Sequence, residues 1–519
     1  MNFYKKLKDK KHYSITIYSF LSILILSYLF LFFKKDSDNL SSIFYILLFL
    51  FTYITGFVSN KNKNISFLFY ILALLFVLSE FVTKRMTGFY FSEIPYEIIS
   101  ILYDTNIDEM NSSINFDKKE IIAIFLIGTC IVSIFIKNIT KEIKKYSYPV
   151  LFLQILVISM FFSFTNNPLT RAIEIIKEKD KILSDTIETL KERKKFTWGA
   201  KSLIPEKQTV VLFLGETHRG DFLGFNGYDK DTTPLLDKEN IISFNNAISQ
   251  AAYTLRSTPM ILSRKNVNNN EGVFNEKSII AAFREAGFET WYISYASPAL
   301  IGDNEINIIV NEADHYIRSD VNTDTLKKVL TNKSNKKLIV YKTVGSHFLY
   351  HTRYPVEYDI FKPSFTNSDY KTPSINDVER LKNSYANSIR YSVDKQVSDF
   401  IDVLKNESGI VSLSFISDHG TAIYDDGKSL YGGNTKGNYS IGLFFWFNDE
   451  YKNKFNKDIS LLESNKNKKI TSEYFVDTML HIGKIETNIK KGCSLFDKNL
   501  KEKERLVKNK NIYNYDTDL

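Results

Sequence analysis

Long apolar stretches crowd into the first third of the chain, and only short ones punctuate the rest. Residues 13–33 (YSITIYSFLSILILSYLFLFF), 42–58, 65–83, 120–136 and 149–165 are each nearly uncharged, and each is close to the ~20 residues that cross a bilayer as a helix. The pattern predicts a five-helix transmembrane domain over 1–166. The first stretch is followed by further ones and lacks a small-residue cleavage site, so it reads as an anchor and not as a signal peptide. Residues 167–199 then place Ile173, Ile176, Leu183, Ile187 and Leu190 near helical spacing among abundant charge. Such spacing suits an amphipathic connector lying on the membrane surface or on the following domain, and it suits a solvated linker helix equally well.

From about residue 200 the pattern changes to short apolar strands that alternate with amphipathic helices. Strands are predicted over 209–214, 288–294, 337–343, 409–416 and 440–447. A helix over 275–286 should stop at Gly287, and another over 377–404 carries Leu381, Ile389, Val393, Val397, Ile401 and Leu404 along one face. Alternation of this kind predicts an α/β domain over 200–519 with a mostly parallel sheet flanked by helices. Within it, Val210-Val211-Leu212-Phe213-Leu214 is apolar at every position, the mark of a strand buried on both faces.

Charge adds an orientation. The N-terminus (KKLKDKKH), the loop NKNKN at 60–64 and the loop KNITKEIKKYS at 137–147 are lysine-dense, and basic loops stay on the cytoplasmic side. Five spans then leave the N-terminus inside, with the segment 84–119 and everything after 166 outside. The formal net charge of +8 is partly this topology signal. The remaining basic residues are dispersed, with no basic cluster interleaved with aromatics, which argues against a nucleic-acid partner. Cys130 falls within a predicted span and Cys493 near the C-terminus, so no intramolecular disulfide is expected. A domain of this size buries enough surface to do without one.

The chemistry sits where strands end. The first predicted strand runs into Gly215-Glu216, the third into Gly345-Ser346-His347 and the fourth into Ser417-Asp418-His419-Gly420. Ligands of parallel sheets gather beyond the carboxyl ends of the strands, and a carboxylate there is costly to bury without a metal or a charged partner. Acid, acid and imidazole suit zinc. The segment AAYTLRSTPM (251–260) starts a helical stretch at Thr254, where a hydroxyl faces free N–H groups of the kind that bind phosphate. Thr254 as a simple helix cap is the competing reading, and Ser257 and Thr258 are rivals for a nucleophilic role.

Taken in order, these residues resemble a known family. Gly215-Glu216-Thr217, Arg219, Asn226-Gly227-Tyr228 and Thr232-Thr233-Pro234 are similar to the opening motif of bacterial phosphoethanolamine transferases. These are membrane-anchored members of the alkaline phosphatase/sulfatase superfamily and include lipid A modifiers. AAYTLRSTPM resembles the family's nucleophile segment, with Thr254 at its threonine. TVGSHFLYHTRYP (343–355), NSYANSIRYSVD (383–394) and SDHG (417–420) resemble three further family segments. The resemblance implies an alkaline-phosphatase-like domain in which zinc is held by Glu216, Thr254, Asp418 and His419. It implies that Thr254 takes phosphoethanolamine from phosphatidylethanolamine and passes it to lipid A, lipopolysaccharide core or another periplasmic glycan. His347 would stabilise the phosphoryl group or act as a general acid. The expected location is the bacterial inner membrane, with the catalytic domain in the periplasm.

Several positions depart from the family pattern. Tyr431 stands near the place of a further histidine, which puts a second metal ion in doubt, and Phe348 and Leu349 replace the Gly-Pro that often follows Gly-Ser-His. Exported relatives often carry disulfides that this chain cannot make. His218 replaces a small residue; next to a metal ligand it could be a neighbour of the site, and a surface histidine is the preferred reading; His315, His351 and His481 read as structural. Thr105 and Glu109 in the outward segment lie one helical turn apart, which resembles a family segment facing the catalytic domain and equally suits a solvated helix. A glycerophosphate transferase of lipoteichoic acid synthase type shares the same metal logic, but the Thr-Thr-Pro and Arg-Tyr-Pro patterns disfavour it. Sulfate-ester hydrolysis is disfavoured by the absence of cysteine in the nucleophile segment. A membrane scaffold without catalysis would need none of Glu216, Thr254, Asp418 and His419.

Overall fold

The computed structural model describes residues 173–177, 188–269, 273–295, 305–366, 373–430, 433–509 and 511–519. The five expected spans, the segment containing Thr105 and Glu109, about half of the connector, and Tyr431 lie outside these residues. No helix among the described residues is long and apolar enough to cross a membrane. Residues 173–177 belong to one compact unit and the remaining described residues to another. In the first, 173–177 is helical with Ile173 and Ile176 exposed. In the second, residues 188–195 form a helix whose Arg193 is buried and donates to Phe274 O at 2.7 Å and to Glu312 Oε1 at 2.9 Å.

Seven strands make the main sheet of this second unit: β1 (Gln208–Gly215), β2 (Ile242–Ser243), β3 (Glu289–Ser294), β4 (His315–Arg318), β5 (Lys336–Lys342), β6 (Ile410–Ser417) and β7 (Leu443–Phe447). Their order across the sheet is β2-β7-β6-β1-β5-β3-β4. The strands β6, β1, β5, β3 and β4 run parallel, while β7 pairs antiparallel with β6 and β2 antiparallel with β7. The sheet is therefore mixed with a parallel centre, and the strand expected at 440–447 forms in the opposite sense to its neighbour.

The all-apolar β1 is central because both of its faces need cover. Val210, Leu212 and Leu214 enter one buried cluster, and Val211 and Phe213 enter the other. Helices α1 (Thr254–Leu262), α2 (Ile279–Glu285) and α3 (Glu305–Val310) contribute to the first cluster; α4 (Thr323–Leu330), α5 (Val378–Ile389) and α6 (Gln396–Leu404) contribute to the second; α7 (Phe475–Ile482) returns to the first. Phe213 packs edge-on to Phe400 at 5.3 Å and stacks with Phe415 at 5.8 Å. Truncating such a ring to alanine costs about 3–5 kcal/mol.

Helix α2 ends as its glycine requires. Gly287 has φ +87°, and the N–H of Phe288 returns to Phe283 O at 3.0 Å, a C-terminal turn that favours glycine. The single helix expected over 377–404 is interrupted by a π-helical segment, Arg390–Lys395, between α5 and α6. All six residues expected on its apolar face are buried.

Candidate metal and nucleophile site

Register builds the site. In the central parallel pair Gly215 lies opposite Ser417, and on the other side Leu214 lies opposite Lys342. The chain leaves β1 and β6 at the same height, so Glu216 and Asp418 emerge side by side at the carboxyl rim. The N–H of Thr217 donates to Asp418 Oδ1 at 3.0 Å and the N–H of His419 donates to the same oxygen at 2.7 Å. His419 Nδ1 lies 2.6 Å from Gly420 O, which assigns the proton to Nδ1 and leaves Nε2 facing the acids. His419 Nε2 is 3.2 Å from Glu216 Oε1 and 3.8 Å from Asp418 Oδ2.

Helix α1 brings the hydroxyl. Tyr253 is extended, no side chain caps the helix, and Thr254 is its first residue. Thr254 Oγ1 lies 3.1 and 3.2 Å from the two Glu216 oxygens and 3.2 Å from His419 Nε2. Its rivals are elsewhere: Ser257 and Thr258 are fully buried farther along α1, and their hydroxyls make no hydrogen bond among the described residues. A plain capping role for Thr254 is not what the structure has, since its hydroxyl turns to the carboxylate.

One ligand atom from each of Glu216, Asp418 and His419 fits within 4.8 Å of the others, and all three residues are buried. Two carboxylates, an imidazole and a hydroxyl form an oxygen and nitrogen set of four, the number zinc favours. The residues present therefore fit the expected ion.

The sequence model of the sulfatase family matches residues 208–485, more than half of the chain. The chain belongs to the sulfatase family. Among curated relatives, this sulfatase-family chain is 26% identical over 279 residues to phosphoethanolamine transferase EptC of Escherichia coli (strain K12), covering 49% of this chain and 48% of the relative. It is 28% identical over 285 residues to the Kdo(2)-lipid A phosphoethanolamine 7''-transferase of the same strain, covering 52% and 49%. The chain thus spans about half the length of the curated relatives it matches. In fold it is similar to the C-terminal periplasmic domain of E. coli EptC crystallised in complex with Zn, with a TM-score of 0.54, 23% identity, and coverage of 61% of this chain and 95% of that one. The described domain shares the fold of that periplasmic domain.

In this sulfatase-family site the sequence left one major contributor unmarked. Lys342, the last residue of β5, places Nζ 2.6 Å from Glu216 Oε2, 2.9 Å from Asp418 Oδ2 and 3.1 Å from Gly215 O. Its only signal was a lysine closing an apolar strand just before Gly-Ser-His. Burial pushes the Glu216 carboxyl up, yet Lys342 and His419 hold it well below the usual range. Asp418 moves the other way, raised by burial and by the Glu216 charge. For His419, burial works against protonation, but Asp418 and Glu216 prevail and raise it to about 9. The pocket draws positive charge from every side.

The loop after β5 docks on Glu216. The N–H of Ser346 donates to Glu216 O at 3.0 Å, and Gly345 has φ +51° with its Cα so close that a Cβ would meet the same oxygen at 2.5 Å. This sets His347 beside the acids, half-buried, with Nδ1 3.0 Å from Phe348 O; its charge adds to those lowering Glu216.

Helix α5 fixes the opposite loop. Tyr385 Oη donates to Thr217 O at 2.6 Å and accepts from the Arg219 N–H at 2.8 Å. Thr217, with φ +62° and a Cβ branch, adopts a backbone that such residues rarely hold. It is kept there by Tyr385 and Asp418, together with its own hydroxyl, which donates to Glu216 Oε1 at 2.9 Å. His218 is not a surface residue: it is fully buried, with Nε2 2.9 Å from Ser392 Oγ. Burial lowers its pKa to about 3, so it is a neutral wedge under the loop. Ser388 Oγ donates to Ser346 Oγ at 2.8 Å, so α5 and the π segment tie both site loops together. The structural assignments of His315 and His481 agree with their contacts. His315 stacks on Trp291 at 5.1 Å and His481 on Phe496 at 4.2 Å.

Proposed function

We propose that the domain transfers phosphoethanolamine from phosphatidylethanolamine to an acceptor of the bacterial envelope, namely lipid A, lipopolysaccharide core or another periplasmic glycan, with Thr254 as the temporary carrier. The observation that carries this reading is the Thr254 hydroxyl within 3.2 Å of both Glu216 oxygens and of His419 Nε2. The activities named for the relatives support the transferred group, and the relative crystallised with Zn supports the ion.

Glu216, Thr254, Asp418 and His419 would hold zinc, which when bound lowers the pKa of a hydroxyl and offsets phosphoryl charge. Glu216 and His419 orient the Thr254 oxygen toward phosphorus, and its hydroxyl proton is released to solvent. Thr254 Oγ forms a bond to phosphorus, the bond from phosphorus to the glycerol oxygen breaks, and diacylglycerol leaves with a proton on that oxygen. An acceptor oxygen then attacks phosphorus, the bond to Thr254 Oγ breaks, and Thr254 regains its proton. The uncapped first turn of α1 offers backbone N–H groups to the phosphoryl oxygens. His347 adds a donor to the same oxygens or protonates the leaving one. Five spans with a cytoplasmic N-terminus, and a periplasmic catalytic domain at the inner membrane, complete the reading.

The test is mass spectrometry of envelope glycolipids from cells with the protein, without it, and with Thr254→Ala. Phosphoethanolamine added only by the intact protein supports the proposal and identifies the acceptor. Added glycerophosphate would replace it with the lipoteichoic-acid-type reaction, and unchanged lipids would replace it with a scaffold.

A further inference from the structure

Lys342 stands between the two carboxylates of the metal site with its side chain largely buried, only 12% exposed, and with its three contacts to Glu216, Asp418 and Gly215 using all three ammonium donors. It acts on one oxygen of each acid and leaves the others to different partners. Glu216 Oε1 faces Thr254 and His419, and Asp418 Oδ1 takes the N–H groups of Thr217 and His419. Two carboxylates side by side at the rim of a buried sheet repel each other, and burying either uncompensated is costly. A lysine whose charge is spent on these two acids has a consequence for any ion that joins them.

We propose that Lys342 is a built-in cation of the metal centre, which stabilises the carboxylate pair before a metal arrives and opposes the metal's capture. The inference rests on reading Glu216, Thr254, Asp418 and His419 as a divalent-metal site. Before loading, Lys342 balances much of the acid charge, so the rim assembles with the domain. After loading, a divalent ion and the two carboxylates cancel, and the lysine charge is a surplus that faces the anionic phosphodiester. Lys342 is thus a positioning residue that acts through the acids, and its removal has two effects of opposite sign.

The experiment measures zinc affinity by chelator competition, and melting temperature with and without zinc, on the purified full-length chain at one neutral pH. Lys342→Met should melt lower than the wild type without zinc, bind zinc roughly tenfold tighter or more, equivalent to about 1.4 kcal/mol, and gain more stability from zinc. Lys342→Arg, which keeps the charge, should bind zinc within about threefold of the wild type. A Lys342→Met chain that binds zinc no tighter than the wild type overturns the inference and leaves a purely structural lysine. Should Lys342→Met not fold, Lys342→Gln, which removes the charge and keeps hydrogen-bond donors, takes its place with the same two outcomes. A wild-type chain that binds no zinc overturns the metal-site reading itself, which separates the two failures.

Discussion

Asp394 shows how a single buried acid sets a pH response away from the site. Its carboxylate accepts the N–H groups of Leu235 and Leu236 at 3.0 and 2.9 Å, and burial raises its pKa to about 7 despite those bonds. The folded chain therefore holds this proton more tightly than the unfolded chain, whose carboxyl titrates near 4. Stability from this group is full below about pH 4 and is lost as pH rises through 7. Urea denaturation between pH 4 and 7 should show that fall, with a slope of at most about 1.4 kcal/mol per unit. Asp394→Asn should flatten it, and an unchanged slope would show that the carboxyl is not responsible. At this same scale Glu216, Asp418, His419 and Thr254 were legible because each follows an apolar strand or opens a helix, where charge or hydroxyl has few other reasons to stand. Lys342 was not, because a lysine at a strand end ordinarily reaches solvent, and only the register with Leu214 turns it inward. His218 was misread for a related reason: nothing in the sequence announces Ser392 of the π segment, which meets its ring.

Helix α5 is the element on which the site loops depend. Tyr385 bridges a carbonyl and an amide of the loop 217–219, so its phenol satisfies two buried backbone groups at once. Tyr385→Phe keeps the ring, which packs against Phe222 and Tyr350, but leaves those groups without a partner. The expected cost is about 1–3 kcal/mol, read as a lower urea midpoint at constant slope, together with slowing of the proposed transfer as Thr217 loses one of its restraints. A midpoint equal to the wild type would mean that the loop holds itself. The helical face of 377–404 was readable from its apolar spacing. Its π segment was not, since one extra residue in a turn changes no composition; Ser388 just before it and Ser392 within it meet the neighbouring loops. The central strands were readable for their length and uniform apolarity, whereas β2, with two residues, and β4, with a half-exposed HYIR, carry too little pattern to notice.

For the whole molecule, the proposed metal links binding to stability. An ion that binds only the folded chain adds about 2.7 kcal/mol at one hundred times its dissociation constant. Treating the purified protein with a chelator should lower its melting temperature, and added zinc should restore it in a concentration-dependent way. A melting temperature indifferent to both would count against a metal held by Glu216, Thr254, Asp418 and His419. The fold class was legible from alternating strands and helices, and the antiparallel β7 was not, because strand direction is decided by connections and not by composition.

The pairing of Gly215 with Ser417 joins positions on opposite sides of most of the domain's length. A chain emerging from its N-terminus exposes the threonine before the aspartate and histidine, which appear only once β6 is made. Any fragment cut short between these points keeps a hydroxyl and one acid without their partners, so the proposed transfer waits until both strands are made.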